Sequence, residues 1–397
     1  MIKSRHNMPW LPLLVIVAIT MIGQTASGQY GNGIGPLFNT FLSSVGKTHN
    51  STYPAAIPTA DLQPGRLTPA GGPSGNLWTG LRNGFALPAG NPAAVQAQLD
   101  RFARDPANVE QIMQRGKPWL HHILSAIRQR GLPTELALLP VIESAFNLYA
   151  RSPRDAAGLW QFMPATAREQ GLQQNDWYDG RLDVMAATAA ALDYLEQLQQ
   201  RFDGDWLLAL AAYNAGAARV QRAIRENRNS GKPVDFWHLQ LPEETRNYVP
   251  KLLALRSIIE SPEAYGLNIP DVPDTPGFTV VDAGGPLDFG VAARLAGIPV
   301  EEIAQLNPAY TRQTIHRNGP HTLLIPGTQA TAFRTRLAGL SGEQRVPWVR
   351  HRIRFGDTLS TIARHYRITV ARLRELNRLP DSRIVAGDLL IVPVARG

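Results

Sequence analysis

Glu143 follows a strongly apolar run, Leu136 to Ile142, and stands just before Phe146-Asn147, where a helix is expected to end. Burial beside apolar groups and the negative end of a helix dipole both disfavour a charged carboxylate, so the pKa of Glu143 is expected to rise. A carboxylic acid that keeps its proton near neutral pH can donate it to a glycosidic oxygen. The plain alternative is that Glu143 caps a neighbouring helix or pairs with an arginine. Glycosidases generally flank the bond with two carboxylates, yet no second acid has a comparable setting. Asp155 lies in a loop, while Asp176, Asp179 and Asp183 surround Trp177-Tyr178 and Arg181 as loop and helix-cap residues.

Glu143 belongs to the first of four blocks. These are Leu138-Leu139-Pro140-Val141-Ile142-Glu143-Ser144-Ala145-Phe146, Gly158-Leu159-Trp160-Gln161-Phe162-Met163-Pro164, Ala211-Ala212-Tyr213-Asn214-Ala215-Gly216 and Glu244-Thr245-Arg246-Asn247-Tyr248-Val249-Pro250. In this order they resemble the soluble lytic transglycosylase/goose-type lysozyme family, and within it the membrane-bound lytic transglycosylase D branch, over roughly residues 91–261.

That resemblance implies cleavage of peptidoglycan between N-acetylmuramic acid and N-acetylglucosamine by a single carboxyl group. Glu143 would protonate the bridging oxygen, the sugar's own C6 hydroxyl would trap the oxocarbenium-like species, and a 1,6-anhydro end would result. An intramolecular hydroxyl has a high effective concentration, so neither water nor a second carboxylate is required. Ser144 would hydrogen-bond near Glu143 or the substrate, and Gln161 would contact N-acetyl or hydroxyl groups. Phe162 and Met163 would form an apolar floor, although Phe162 equally suits the core. Tyr213 and Asn214, in a turn where Gly216 permits close backbone approach, would reach the N-acetyl group beside the cleaved bond. Tyr248 would place a phenol beside Glu143. For each of these the alternative is a scaffold role. Two other functions stay open: a muramidase that uses water, and a non-enzymatic wall-binding protein.

No cofactor or metal is expected. His121 and His122 are adjacent and point in different directions on a helix, which makes a poor metal pair. No glycine-rich phosphate loop is present, and Ser144 lacks His and Asp partners for nucleophilic catalysis.

Helical periodicity must position the four blocks. Val95, Leu99 and Phe102, then Ile112 and Met113, then Leu120, Ile123, Leu124 and Ile127 recur at three- and four-residue intervals. Leu182 to Phe202, Trp206 to Ile224 and Leu252 to Ile259 continue the pattern, with breaks at Gly131-Leu132-Pro133-Thr134, Gly171 and Asp203-Gly204-Asp205. The expected fold is therefore a mainly α catalytic domain, lysozyme-like by the resemblance, over residues 91–262, followed by a loose connector from Asn268 to Gly277.

Shifting the chain by 70 positions exposes a repeat: Ala293, Ile298, Val300, Ile303, Leu306 and Asn307 fall on Ala363, Ile368, Val370, Leu373, Leu376 and Asn377. The second copy, residues 347–395, predicts strand, helix, helix, strand, with Asp357 or Thr358 as first helix cap. It resembles the LysM domain, which implies glycan binding, here through Gly356, Asp357, Thr358, Leu359 and Asn377. The first copy, residues 277–328, has Gly285-Pro286-Leu287-Asp288 where the second has Phe355-Gly356-Asp357-Thr358, and is a degenerate LysM-like unit.

Composition bounds the setting. Lys3 and Arg5, the apolar run Leu11 to Ile22 and the small residues Ala26 and Gly28 read as a secretory signal over residues 1–28. That run is short for the roughly 20 residues that span a bilayer and contains Pro12. Residues 29–90, rich in Gly, Pro, Ser and Thr, read as a flexible arm. The chain has no Cys, so no disulfide framework or thiolate is expected, nor an acceptor for a lipid anchor. Without residues 1–28 the formal charge falls from +8 to +6, 38 basic against 32 acidic. In an exported protein this suits an anionic wall polymer better than nucleic acid. The expectation is a protein of the periplasm or cell envelope acting on peptidoglycan glycan strands, with no lipid anchor and no integral membrane segment after signal cleavage.

Overall fold

A computed structural model describes residues 75–393, except 270, 346, 347 and 367. The expected signal at 1–28 and the arm from 29 to 74 lie outside the described residues.

The helical domain begins earlier than expected. Residues 75–90 read in the sequence as part of the flexible arm, but helix α1, Leu77–Arg82, buries Leu77, Trp78 and Leu81 in the main core. Six residues are too few to display a helical period, and only the burial reveals them. The connector after the domain is not loose either. The Leu77 N–H donates to the Val272 carbonyl at 2.7 Å and the Asp274 N–H to the Gly75 carbonyl at 3.0 Å, joining the two ends of the domain.

The next helices start where short polar side chains can accept the orphan N–H groups of a first turn. Asn91 caps α2 (Pro92–Phe102) and Asp105 caps α3 (Pro106–Gln129), each followed by proline at the first helical position. A short 3-10 turn over Thr134–Leu138 leads into α4, Leu139–Ser144. Then come α5 (Pro164–Glu169), α6 (Val184–Arg201, capped by Asp183), α7 (Trp206–Ala215, capped by Asp205), α8 (Ala217–Asn229) and α9 (Glu243–Glu260). Helix α7 is buried along Leu207 to Ala212 and packs against α6, α8 and α9, as a helix apolar on all sides must. Gly216 alone separates α7 from α8, with φ of 87°, a backbone position that side chains with a Cβ rarely adopt.

Both repeats have the expected strand, helix, helix, strand frame. In the first, β1 (Phe278–Asp282) precedes a short strand β2 (Leu287–Asp288), α10 (Phe289–Ala296), α11 (Val300–Leu306), β3 (Thr314–Ile315) and β4 (Thr322–Pro326). β1 pairs antiparallel with β4, Phe278 opposite Pro326, and β2 pairs with β3. The unit does not stop at 328: α12, Ala330–Ala338, packs on α10 and sinks Phe333 and Leu337 into the same core. A short α13, Gly342–Arg345, leads to the second repeat. There β5 (Trp348–Arg352), α14 (Leu359–His365), α15 (Val370–Asn377) and β6 (Leu389–Pro393) follow, with β5 antiparallel to β6.

The first repeat shares its core with the helical domain, since Ala157, Tyr178 and Leu182 belong to it. Tyr178 meets Tyr310 edge-on at 5.2 Å, the Asp179 N–H donates to the Ala309 carbonyl at 2.9 Å, and the Tyr149 hydroxyl donates to the Ala304 carbonyl at 3.0 Å. No helix among the described residues is long and apolar enough to cross a membrane.

Candidate active site

Glu143 lies on the last turn of α4, whose neighbours Leu136 to Leu139 are completely buried. The chain leaves that helix through Ala145 and Phe146, with φ of 51° and 55°. Asp155 and Gln161 also have positive φ, so four of the seven such non-glycine residues among those described fall between 145 and 161. Strain of this kind persists only where surroundings impose it, and it concentrates at functional sites.

The surroundings here are specific. Arg115 donates to the Ala145 carbonyl at 2.7 Å. Arg181, almost fully buried, makes a two-pronged pair with Asp179 at 3.0 and 2.9 Å and donates to the Asp155 carbonyl at 2.6 Å. Arg151 bridges Asp155 and Asp179. A Cβ on Gly158 would stand 1.9 Å from the Arg181 carbonyl oxygen, so only glycine fits there. Asp183, the cap of α6, accepts the Tyr178 hydroxyl at 2.6 Å. The aspartates near Glu143 in sequence therefore hold the loop.

The four blocks converge on one cleft of about 960 Å³, lined by Glu143, Gln161, Met163, Tyr213 and Asn214 among others. The Tyr248 hydroxyl donates to Glu143 Oε1 at 2.5 Å, and Glu143 is only 9% exposed. Burial is the largest influence on the Glu143 carboxyl and lifts it to about 7; the Tyr248 hydrogen bond pulls down, the Glu244 charge pushes up and the Lys251 charge pulls down. Burial, more than the end of a six-residue helix, thus accounts for the shift. The Tyr213 and Tyr248 phenols are pushed well above the usual tyrosine range, first by burial and next by the Glu143 charge, so both stay protonated donors.

The expected ligand-contacting residues divide. Met163, 40% exposed, lines the cleft, as do Gln161, Tyr213 and Asn214. The Tyr213 hydroxyl donates to the Trp160 carbonyl at 2.9 Å, and the Trp160 indole to Thr188 at 3.0 Å, which fastens the second block to α7 and α6. The Gln161 amide nitrogen donates to the Ala150 and Gly158 carbonyls, while its oxygen has no partner among the described residues. Asn214 accepts from the Thr245 hydroxyl at 2.8 Å. Two expectations need correction. The Ser144 hydroxyl is turned to the Pro140 and Leu159 carbonyls, at 3.1 and 3.0 Å, so it ties α4 to the second block. Phe162 is buried in the main core, outside the cleft lining.

Sequence reasoning missed a second carboxylate. Glu244 lines the same cleft, and its carboxyl is raised from the usual range chiefly by burial, against lowering by Asn214, Lys251 and Arg154. The available signal was its place in the fourth block, four residues before Tyr248 on one helix face. Arg154, Arg219, Arg222 and Arg246 also line the cleft.

On the second repeat the expected glycan residues are mostly scaffold. Leu359 is core. Thr358 caps α14 in a capping box with Thr361, and Asp357 accepts the Arg354 N–H and pairs with His351. Gly356, with φ of 89°, makes the turn. Asn377 accepts the Ile391 N–H at 2.7 Å and donates to the Leu373 and Ile391 carbonyls, pinning α15 to β6. Asn307 does the same in the first repeat with Leu324 and Ile303. Among the described side chains of this repeat, the large apolar ones that are exposed are Phe355, 100% exposed, with Val385 and Leu389. Phe355 and Val385 sit on two loops joined through Ile353, Gly387 and Asp388, and Leu389 opens β6 directly after the second of them. An aromatic residue in a turn that should be polar was the signal for Phe355.

Comparison with known proteins bears on this arrangement. Residues 123–236 match the transglycosylase SLT domain, 277–342 the LysM-like domain of lytic transglycosylase MltD, and 351–393 the LysM domain. The membrane-bound lytic murein transglycosylase D of Escherichia coli (strain K12) is 35% identical over 336 residues, covering 81% of this chain and 73% of that one. The chain belongs to the membrane-bound lytic murein transglycosylase D family. A protein of Alteromonas sp. (strain M-1), named for tributyltin chloride resistance, is 44% identical over 38% of this chain and 72% of its own length. The crystal structure of the 70 kDa soluble lytic transglycosylase of Escherichia coli covers 35% of this chain and 24% of that one, at 25% identity and a TM-score of 0.29. In this member of the transglycosylase D family, Glu143, Gln161, Tyr213 and Asn214 fall within the matched SLT segment, whereas Glu244 and Tyr248 lie beyond it on α9.

Proposed function

We propose that the chain is an exported peptidoglycan lytic transglycosylase in which Glu143 acts as both acid and base. The observation that carries this reading is a carboxyl poised at about 7, buried at the wall of a cleft and hydrogen-bonded by Tyr248. Protonated Glu143 gives its proton to the oxygen between N-acetylmuramic acid and N-acetylglucosamine as the C1–O bond breaks. The C6 hydroxyl of the same muramyl residue attacks C1, and its proton passes to the Glu143 carboxylate. The acid is regenerated, no water is consumed, and a 1,6-anhydro end is left.

Tyr248 stabilises the carboxylate as it forms, which is charge stabilisation specific to the reacting state. Asn214 and Gln161 supply amide groups for the sugar substituents, and Met163 an apolar contact. Phe355, Val385 and Leu389 on the second repeat hold the glycan, raising local substrate concentration without altering the chemistry. The protein works in the cell envelope, where that polymer lies.

The test is release of soluble fragments from purified sacculi by wild type and Glu143→Gln. Release by the wild type alone fits the proposal; binding without release by either protein would make it a wall-adhesion protein. Glu244 in the same cleft favours one second reading, hydrolysis by a water that Glu244 activates. The chemical form of the new ends separates the two.

A further inference from the structure

The geometry points to Glu244 and Lys251 as a charge couple that sets how tightly Glu143 holds its proton, with Glu244 as a positioning residue. This rests on the proposal that Glu143 is the acid. Glu244, Tyr248 and Lys251 stand at i, i+4 and i+7 on α9, one stripe of that helix. Helix α9 packs directly on α4, which carries Glu143. The middle member of the stripe, Tyr248, touches Glu143.

The two outer members act on Glu143 in opposite senses. The Glu244 charge favours a protonated Glu143, and the Lys251 charge favours the carboxylate. They also attract each other, and both are partly buried, where such charges are poorly screened. Each has a further neighbour: Arg154, from the loop before the second block, acts on Glu244, and Arg101, from α2, on Lys251. Tyr213 faces Glu143 from α7 as a neutral phenol. With both members present their fields at Glu143 oppose each other, and burial is the largest influence on the proton. With Glu244 neutral, a half-buried ammonium would be left to draw the proton off.

Glu244 also meets the cleft through Asn214, whose amide lies 3.5 Å from Glu244 Oε1, a long contact, while the Thr245 hydroxyl holds the Asn214 oxygen. Glutamine at 244 keeps an oxygen for that amide and removes the charge alone. The variants are therefore Glu244→Gln, Lys251→Met and the pair together, assayed as full-length protein on soluble glycan fragments across pH.

Wild-type turnover tests whether the chain cleaves glycan at all; displacement of the high-pH limb between variants tests the couple. Glu244→Gln should move that limb down by about one pH unit, a roughly tenfold loss above it when each profile is scaled to its own low-pH plateau. Lys251→Met should move it up, and the double variant should return toward wild type. If Glu244→Gln does not fold, the upward shift in Lys251→Met still decides. Superimposable limbs, shifts of the same sign, or a loss equal at every pH would overturn the inference.

Discussion

The Tyr248 hydroxyl donates to Glu143 Oε1 at 2.5 Å across 105 residues of sequence, joining α9 to the end of α4 inside the cleft wall. A donor so placed favours the carboxylate over the acid. In the proposed reaction the carboxylate forms as the glycosidic bond breaks, so this bond strengthens on the way to the transition state.

Replacing Tyr248 with phenylalanine should therefore cost turnover and move the pH profile. A hydrogen bond to a charged group contributes about 1.5–3 kcal/mol, so the low-pH plateau should fall roughly 10- to 100-fold. Without its donor Glu143 holds its proton more tightly, and the high-pH limb should move up. A pH–rate profile checks both; a lower plateau with an unmoved limb would leave Tyr248 only a packing role.

The same burial has a stability consequence. Glu143 holds its proton up to about 7 in the folded chain against 4.5 for its ordinary value, so between those pH values the folded state binds more protons than the unfolded. Stability should fall as pH rises through that window, by up to about 3 kcal/mol, and stay reduced above it. Glu143→Gln does not ionise there, so it should gain on wild type at pH 8 and show little of that gain at pH 4. Denaturant unfolding of both proteins at the two pH values checks this, and a difference independent of pH would contradict it.

Asn307 and Asn377 offer a test of the repeats. Each amide makes three hydrogen bonds that tie the second helix of its unit to the last strand. Alanine at either position leaves backbone groups unpaired and should destabilise that unit by about 1–3 kcal/mol. Hydrogen exchange should show faster opening of β4 in the first case and β6 in the second.

The sequence made these two asparagines visible as equivalent, because a 70-residue shift aligns them, but not what they do. A motif residue that pins a strand and one that touches a ligand look alike until the amide's partners are known. The Ser144 expectation failed, and the choice between cleft and core for Phe162 stayed open, for the same reason: block membership does not say whether a side chain faces the cleft or the packing behind it. Glu143 was legible because an acid at the end of an apolar run is an anomaly in its own right. Glu244 was less so, since on an otherwise polar helical turn a glutamate is no anomaly; its place in the fourth block was the one hint, and the fold brings it to the cleft. Helix α1 was lost in a Gly- and Pro-rich context, although Asn76 caps it.

Phe355 should matter for holding the polymer and little for the reaction. Truncating a fully exposed aromatic side chain that becomes buried on binding removes about 1.5–3 kcal/mol, so Phe355→Ala should weaken sacculus binding roughly tenfold or more. Turnover on short soluble fragments should be unchanged. Removing Trp348 to Gly397 should give the same pattern more strongly, and equal loss of binding and turnover would contradict that division.

The most direct measurement is mass spectrometry of the fragments released from purified sacculi by the wild-type chain and by Glu143→Gln. The proposed mechanism requires 1,6-anhydro-N-acetylmuramic acid ends in the wild-type products and no release by the variant. Reducing ends, heavier by one water, would show hydrolysis and contradict the single-carboxyl route.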